Sequence, residues 1–410
     1  MSQRRLRRAP GPQPRAATRM KIAFVTPWYG PGLPGGMENA TYQIVRHLHA
    51  AGADVTVLTT TIRDFYADWG KNSHKPGRVL IEGVPVHRFP VQRRNKAAFD
   101  DVNRQLMHNQ PLTPAGEQTF INEMFRVPRL YAFITQHCAE YVFVFTPYMF
   151  ATTYHGAQIC PQRSVIIPCL HDESYAHLAI YRPVLANARG LVLYAEAERA
   201  LANALYPPQR PQFRQVLGLG VDDFPADAAR FRARYGLDTP FVLYAGRKEP
   251  GKNVPLLLDY WQRYVRQGGV GKLVLIGSGE VAVPAGMHNH IIDLGFVPTQ
   301  DKQDAYAAAS LLCQPSINES FSIVLMESWL AGTPVLVHGH CPVTLEHCRK
   351  ANGGLYFTDA AEFAATVRYL LTQPDAAHTM AAQGRRYVRQ NFAWELLVPQ
   401  YIQVLAQATR

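Results

Sequence analysis

From Met20 onward the chain repeats one pattern: a short, nearly continuous apolar run, a polar joint, then a stretch with apolar residues at helical spacing. The runs KIAFVTPW, ADVTVLTT, EYVFVFT, SVIIPCL and GLVLYA read as strands buried on both faces. Between them, residues 38–51 place Ala40, Ile44 and Leu48 on one stripe, and residues 196–206 repeat Ala and Leu at the same period. After QVLGLGVDD a second series begins, with FVLYAG, KLVLIG, IIDLGF, SLLCQP, PVLVHG and GGLYF as strands and residues 254–266 as one of its helices. Strand and helix in alternation predict an α/β fold of two Rossmann-like, doubly wound parallel-sheet domains facing each other across a cleft.

The glycine-rich join at residues 218–222 lies near mid-chain and predicts a hinge between residues 20–218 and residues 219–394. Ligands of open parallel sheets bind beyond the carboxyl ends of the strands, so the loops that follow each strand are where chemistry is expected. Residues 61–118 interrupt the first half with an irregular basic stretch that includes Arg88, Arg93, Arg94 and Lys96. It reads as a solvated surface insertion, with acceptor or membrane contact as the alternative.

Composition sharpens this picture in three places. Six arginines and no acid fall within residues 1–19, which leaves only +5 of the formal +11 for the rest of the chain. No aromatic-and-basic stacking motif or zinc-finger spacing accompanies that charge, so no nucleic-acid partner is expected. Pro10, Pro12 and Pro14 block a helix there and no apolar stretch follows, so residues 1–19 read as a disordered basic tail and not an export signal.

No run reaches the 18 or so apolar residues of a spanning helix, so a cytoplasmic protein is expected, with peripheral contact at the inner membrane face as a further possibility. Six cysteines without a CxxC pair read as thiols in a reducing compartment. His338, His340, Cys341, His347 and Cys348 crowd into eleven residues, but their spacing fits no standard zinc site and reads as a loop with a first helical turn.

The segment NESFSIVLME, residues 318–327, carries the strongest chemical signal. It follows an apolar strand and enters a helix, so Glu319 stands on the loop, Ser320 follows it, and the amides of Phe321 and Ser322 sit at the helix start. Glu327 lies eight residues on, about 800° of helical rotation, within roughly a quarter-turn of Glu319. Two carboxylates can then accept hydrogen bonds from the hydroxyls of one elongated ligand.

In the same half, Arg247 and Lys252 bracket the turn RKEPGK after VLYAG, where two cations can neutralise a diphosphate. Gly277-Ser278-Gly279 ends KLVLIG in a tight turn open to a phosphate or base, but lacks the third glycine and later acid of a dinucleotide fingerprint. In the first half Gly35, Gly36, Met37 and Glu38 start a helix, and His171 ends a buried strand, where it can bond a hydroxyl or move a proton.

Together these residues resemble glycosyltransferase family 4, the retaining "group 1" family of GT-B fold, over nearly the whole chain from Met20. The most specific element is the pair Glu319 and Glu327 with seven residues between them. Gly35-Gly36 with Glu38, His171, Arg247 with Lys252, and Gly295-Phe296-Val297 support it. The resemblance implies that Glu319 and the amides of Phe321 and Ser322 hold the donor hexose, that Glu327 binds the ribose, and that Arg247 and Lys252 bind the diphosphate. It further implies that Gly36 closes over the phosphate, that His171 contacts the sugar, and that Phe296 and Val297 meet the base.

By the same resemblance, the final helix, about residues 395–410, crosses back onto the first domain. Met37 departs from the family, which often has a smaller residue there. A retaining, metal-independent transferase of polysaccharide biosynthesis is the implied activity, with a nucleotide-sugar as substrate and no cofactor. Its implied partners are a UDP- or GDP-sugar donor and a glycan, lipid-linked or small-molecule acceptor. The rivals are a nucleotide-sugar 2-epimerase on the same scaffold and a non-catalytic subunit that binds the donor. The absence of an Asp-x-Asp motif agrees with metal independence.

Overall fold

A computed structural model describes residues 20–409, so the basic tail at residues 1–19 lies outside the described residues. The first sheet has eight strands: β1 (Lys21–Val25), β2 (Asp54–Thr60), β3 (Gly77–Ile81), β4 (Val84–Phe89), β5 (Tyr141–Phe145), β6 (Ser164–Ile166), β7 (Gly190–Leu193) and β8 (Phe213–Val216). Their order is β3-β4-β2-β1-β5-β6-β7-β8, and every pairing is parallel except β3 with β4. The second sheet is wholly parallel, with six strands: β9 (Phe241–Ala245), β10 (Lys272–Ile276), β11 (Ile291–Asp293), β12 (Leu311–Gln314), β13 (Val335–His338) and β14 (Gly354–Phe357). It runs β11-β10-β9-β12-β13-β14.

The apolar runs become strands for the reason their composition suggests. Helices cover both faces of each sheet, so Ile22, Ala23, Phe24 and Val25 of β1 and all of β9 are buried. The helix Gly36–Ala50 buries Ala40, Ile44 and Leu48 against the first sheet, and the helix Val254–Arg266 buries Leu257, Trp261 and Tyr264 against the second. Each sheet reverses its winding once: between β1 and β5 in the first, and between β9 and β12 in the second. These switch points are where crevices open.

The chain passes between the sheets through Gly218 and Gly220. A Cβ on Gly220 would lie 2.2 Å from the Trp394 ring, so the join runs directly beneath that indole. The helix Trp394–Ala406 returns to the first sheet's side, where the Trp394 ring stacks on His47 with centroids 4.2 Å apart. Tyr401 donates to the Gly218 carbonyl at 2.7 Å and ties the returning helix to the join.

Two expectations are corrected. Residues 61–118 are not an irregular solvated loop: β3 and β4 extend the sheet, and the helices Lys96–Met107 and Pro114–Met124 pack Phe99, Leu106, Phe120 and Met124 into the core. The six cysteines are not all thiols, because the helix Pro128–Gln136 and the turn before β6 bring Cys138 and Cys160 to a Cα separation of 5.9 Å as a disulfide. The other four are buried thiols. No helix among the described residues is long and apolar enough to cross a membrane.

Candidate active site between the two sheets

The four loops that leave β9, β10, β11 and β12 stand side by side because those strands are neighbours in the second sheet. Three of them are bonded into one ledge. Gly277 donates to the Gly295 carbonyl at 2.8 Å, and Lys248 donates its backbone N–H to Ser278 at 2.8 Å. Lys248 also buries its ammonium against Asp293 at 2.5 Å, fixing the turn that carries Arg247 and Lys252. Phe296 projects from this ledge with 82% of its surface exposed, while Val297 beside it is buried.

The fourth loop faces the first across the switch point. Lys252 Nζ donates to Glu319 Oε1 at 2.8 Å, and Gln314 at the end of β12 donates to the same oxygen at 3.2 Å. Ser320 continues the loop. Ser322 takes a left-handed φ of 67° and caps the helix Ile323–Ala331. Within the described residues, the amides of Phe321 and Ser322 donate no hydrogen bond, so they remain open to an oxygen ligand.

That helix begins at Ile323, so Glu319 lies ahead of it and the rotational argument linking the two glutamates is corrected. Tertiary partners orient each carboxylate instead. Glu327 accepts from Lys302 Nζ at 2.7 Å and from Tyr306 Oη at 2.8 Å. Burial, reinforced by the Glu327 charge, pushes the Tyr306 phenol well above its ordinary value, so it stays a donor.

The first sheet supplies the opposite wall. Gly35 has φ 127°, and a Cβ there would collide with the Glu38 carboxylate 2.0 Å away. Glu38 is thereby folded back, buried, and held by Trp28 Nε1 at 2.8 Å. Gly36 differs: a Cβ on it would meet nothing within 4 Å, so this first helical residue borders open space on its side-chain face. The Met37 side chain is partly buried and packs against the edges of two apolar clusters.

His171 lies beyond β6, with Nδ1 3.2 Å from Glu173 Oε1, an ion-pair distance without hydrogen-bond alignment. Burial opposes its charge, but Glu173, with Glu319 beyond it, outweighs that and raises the imidazole above its usual value. Arg247 is likewise raised: burial opposes its charge, and the Tyr66 hydroxyl, Glu249 and Glu38 overcome it. Groups of both sheets therefore act on each other across one cleft.

Sequence reasoning missed Lys248, Gln314, Lys302, Tyr306 and Glu173, all of which set the position or charge of the predicted groups. Glu198 was also missed. It accepts from the backbone of Leu170 at 2.7 Å and of Tyr194 at 2.6 Å, and so fixes the loop that carries His171. Burial raises Glu198 to about 7. The cluster at residues 338–348 is not gathered as ligands: His347 bonds Tyr387 Oη at 2.9 Å, and no three potential ligands converge among the described residues.

A pH dependence follows from Glu198 and His171. Both bind protons more tightly folded than unfolded, so each contributes stability that is lost as pH rises, Glu198 from about 4.5 through 7 and His171 above 6.5, while buried His347, lowered to about 4, contributes the opposite trend. Across pH 4.5 to 7 the melting temperature of Glu198→Gln should fall less, or rise more, with pH than that of the parent. An unaltered slope in the variant would remove Glu198 as its source.

With the geometry in place, comparison with known proteins decides the family. Residues 227–387 match the family described as "Glycosyl transferases group 1", and residues 35–216 match the "Glycosyl transferase 4-like domain". The chain belongs to the group 1 glycosyltransferases. It is 28% identical over 249 residues to a D-inositol 3-phosphate glycosyltransferase of Saccharomonospora viridis, a match covering 55% of this chain and 57% of that protein. Matches to the first such relatives span about half their length. A protein of the same name from Frankia alni is 26% identical over 381 residues, covering 86% of this group 1 chain and 90% of its own. The GT-B fold is shared with Anabaena HepE, crystallised with UDP and glucose: TM-score 0.67, 20% identity, 95% of this chain and 100% of that one.

Proposed function

We propose that this group 1 chain is a retaining glycosyltransferase that moves a hexose from a UDP- or GDP-sugar to a hydroxyl of a glycan, lipid-linked or small-molecule acceptor. The observation that carries the proposal is the Lys252–Glu319 pair at the switch point between β9 and β12. It sets a fixed cation and an acceptor of hydroxyl hydrogen bonds 2.8 Å apart, where a parallel sheet opens its crevice.

In this reading residues 219–394 bind the donor. Arg247 and Lys252 take the diphosphate, supplying positive charge from the protein itself with no metal required. Glu319, Ser320 and the free amides of Phe321 and Ser322 hold the hexose hydroxyls. Glu327 accepts from the ribose with the lone pairs that Lys302 and Tyr306 leave open. Gly277, Phe296 and Val297 form the ledge for the base. From residues 20–218, the Gly35-Gly36 turn approaches the phosphates and His171 faces the sugar carbon.

The bond from that carbon to the diphosphate breaks, and the acceptor oxygen bonds on the same face. The acceptor proton leaves with the diphosphate. Relatives named as inositol phosphate glycosyltransferases and a shared fold that holds UDP and glucose in Anabaena HepE support the assignment.

Thermal-shift titration with UDP, GDP and their sugars tests it. Ligand at 100 times its Kd stabilises the folded state by about 2.7 kcal/mol, so one nucleotide series should raise the melting temperature clearly. Proton NMR of the incubated donor should then show nucleoside diphosphate release, and a product whose anomeric configuration matches the donor's. An isomerised sugar nucleotide without nucleoside diphosphate would instead establish an epimerase.

A further inference from the structure

Beside the cleft lies a separate cavity of about 460 Å3, within the size range of small-molecule sites. One wall comes from the chain between the helices Lys96–Met107 and Pro114–Met124, and the other from the loop that directly follows His171. The walls are fixed to each other: Ser174 Oγ donates to the Leu106 carbonyl at 2.7 Å, and Tyr175 Oη to Asn103 at 2.9 Å. Glu173 lines the cavity and also stands 3.2 Å from His171 Nδ1, so one side chain connects the cavity wall to His171.

Its charge is one-sided. Glu117, Asp172 and Glu173 line it, and no lysine or arginine does. The one other ionisable group, His177, is paired with Asp172 at 2.6 Å. Carboxylates accept hydrogen bonds from hydroxyls, and Gln110 and Ser174 add amide and hydroxyl partners. A phosphate placed here would meet three carboxylates and no lysine or arginine.

We infer that this cavity is the acceptor site and that it selects an uncharged, polyhydroxylated sugar or polyol over a phosphorylated one. The inference rests on the transferase reading above. It separates this chain from the relatives whose names specify inositol 3-phosphate. It also gives the segment around residues 107–117 a role in specificity, through the wall it builds opposite His171.

The test uses the full chain with whichever of UDP-glucose or GDP-mannose raises its melting temperature. Nucleoside diphosphate release is followed with myo-inositol, methyl glucoside, methyl mannoside and inositol 3-phosphate as acceptors. At least one uncharged acceptor should stimulate release, with inositol 3-phosphate at least tenfold poorer in kcat/KM. The double variant Glu117→Gln, Asp172→Asn should narrow that gap about tenfold. Gln110→Trp, which fills the cavity from an exposed position, should raise the acceptor KM at least tenfold, with the donor-induced melting shift reporting that the variant is folded.

Preference for inositol 3-phosphate, no stimulation by any uncharged acceptor, or an unaltered acceptor KM in Gln110→Trp would each overturn the inference while the transferase reading stands. A chain that neither binds nor cleaves any nucleotide sugar would overturn both.

Discussion

Lys252→Ala is expected to lower kcat by tens to about a thousandfold, equivalent to about 2–4 kcal/mol of transition-state stabilisation. The side chain is three-quarters buried and joins the loop after β9 to the loop after β12, beside a second link from Asn253 to the Pro315 carbonyl. Charge on the departing diphosphate grows as the glycosidic bond breaks, so a fixed cation there stabilises the transition state more than the bound donor. Truncation also leaves Glu319 without its cation, retaining only the Gln314 amide at 3.2 Å.

The loss should therefore appear mainly in kcat, with a smaller rise in the donor KM. Lys252→Arg should recover only part of it, since a planar fork cannot reproduce a point charge on a short turn. Steady-state kinetics on variants whose melting temperature stays near that of the parent decide the matter. Near-normal turnover would remove Lys252 from the chemistry and, with it, the main support for metal-free catalysis.

The legibility of these features in the sequence tracks how local their causes are. Strands such as β1 and β9 are buried on both faces, so an unbroken apolar run announces them. The loop at residues 318–322 was visible because it follows such a run and enters a helix. The hairpin β3–β4 was not, because it sits at the sheet edge: residues 77–80 are exposed and Leu80 alone shows 72% of its surface, so no burial pattern marks the strand.

The same distinction separates the site residues found from those missed. Arg247, Lys252 and Glu319 lie on turns that follow strands. Lys302 and Tyr306 sit on a helix twenty or more residues before Glu327 and meet it only through tertiary packing. Lys248 stands between two predicted cations, and nothing local tells that it alone turns inward to Asp293. Residues Cys138 and Cys160 form no recognisable motif at a separation of 22, and helix packing decides their pairing.

Among glycine-to-alanine changes in the half built on the second sheet, Gly277→Ala should be the most destabilising, by about 3–5 kcal/mol, because it combines two mechanisms at one position. The backbone there has φ 129°, which side chains rarely adopt, and a Cβ would lie 1.9 Å from the Gly246 carbonyl oxygen. That neighbour is backbone at the end of β9, which cannot swing aside as a side chain can. Relief requires the ends of β9 and β10 to part, which pulls on the Gly277–Gly295 bond of 2.8 Å and on the Lys248–Ser278 bond that joins the ledge.

The melting temperature of that half should fall by about 10 °C, and the rise induced by a nucleotide should shrink with it because the ledge proposed to hold the base is distorted. Gly36→Ala makes the contrast. Its Cβ enters open space at the first turn of a helix that favours alanine, so the melting temperature should hold while the proposed approach to the phosphates is obstructed. Paired melting curves with and without nucleotide therefore separate a glycine required by its neighbours from one required by its ligand. A parent-like melting temperature in Gly277→Ala would show that the ledge yields freely and does not hold the donor in a fixed place.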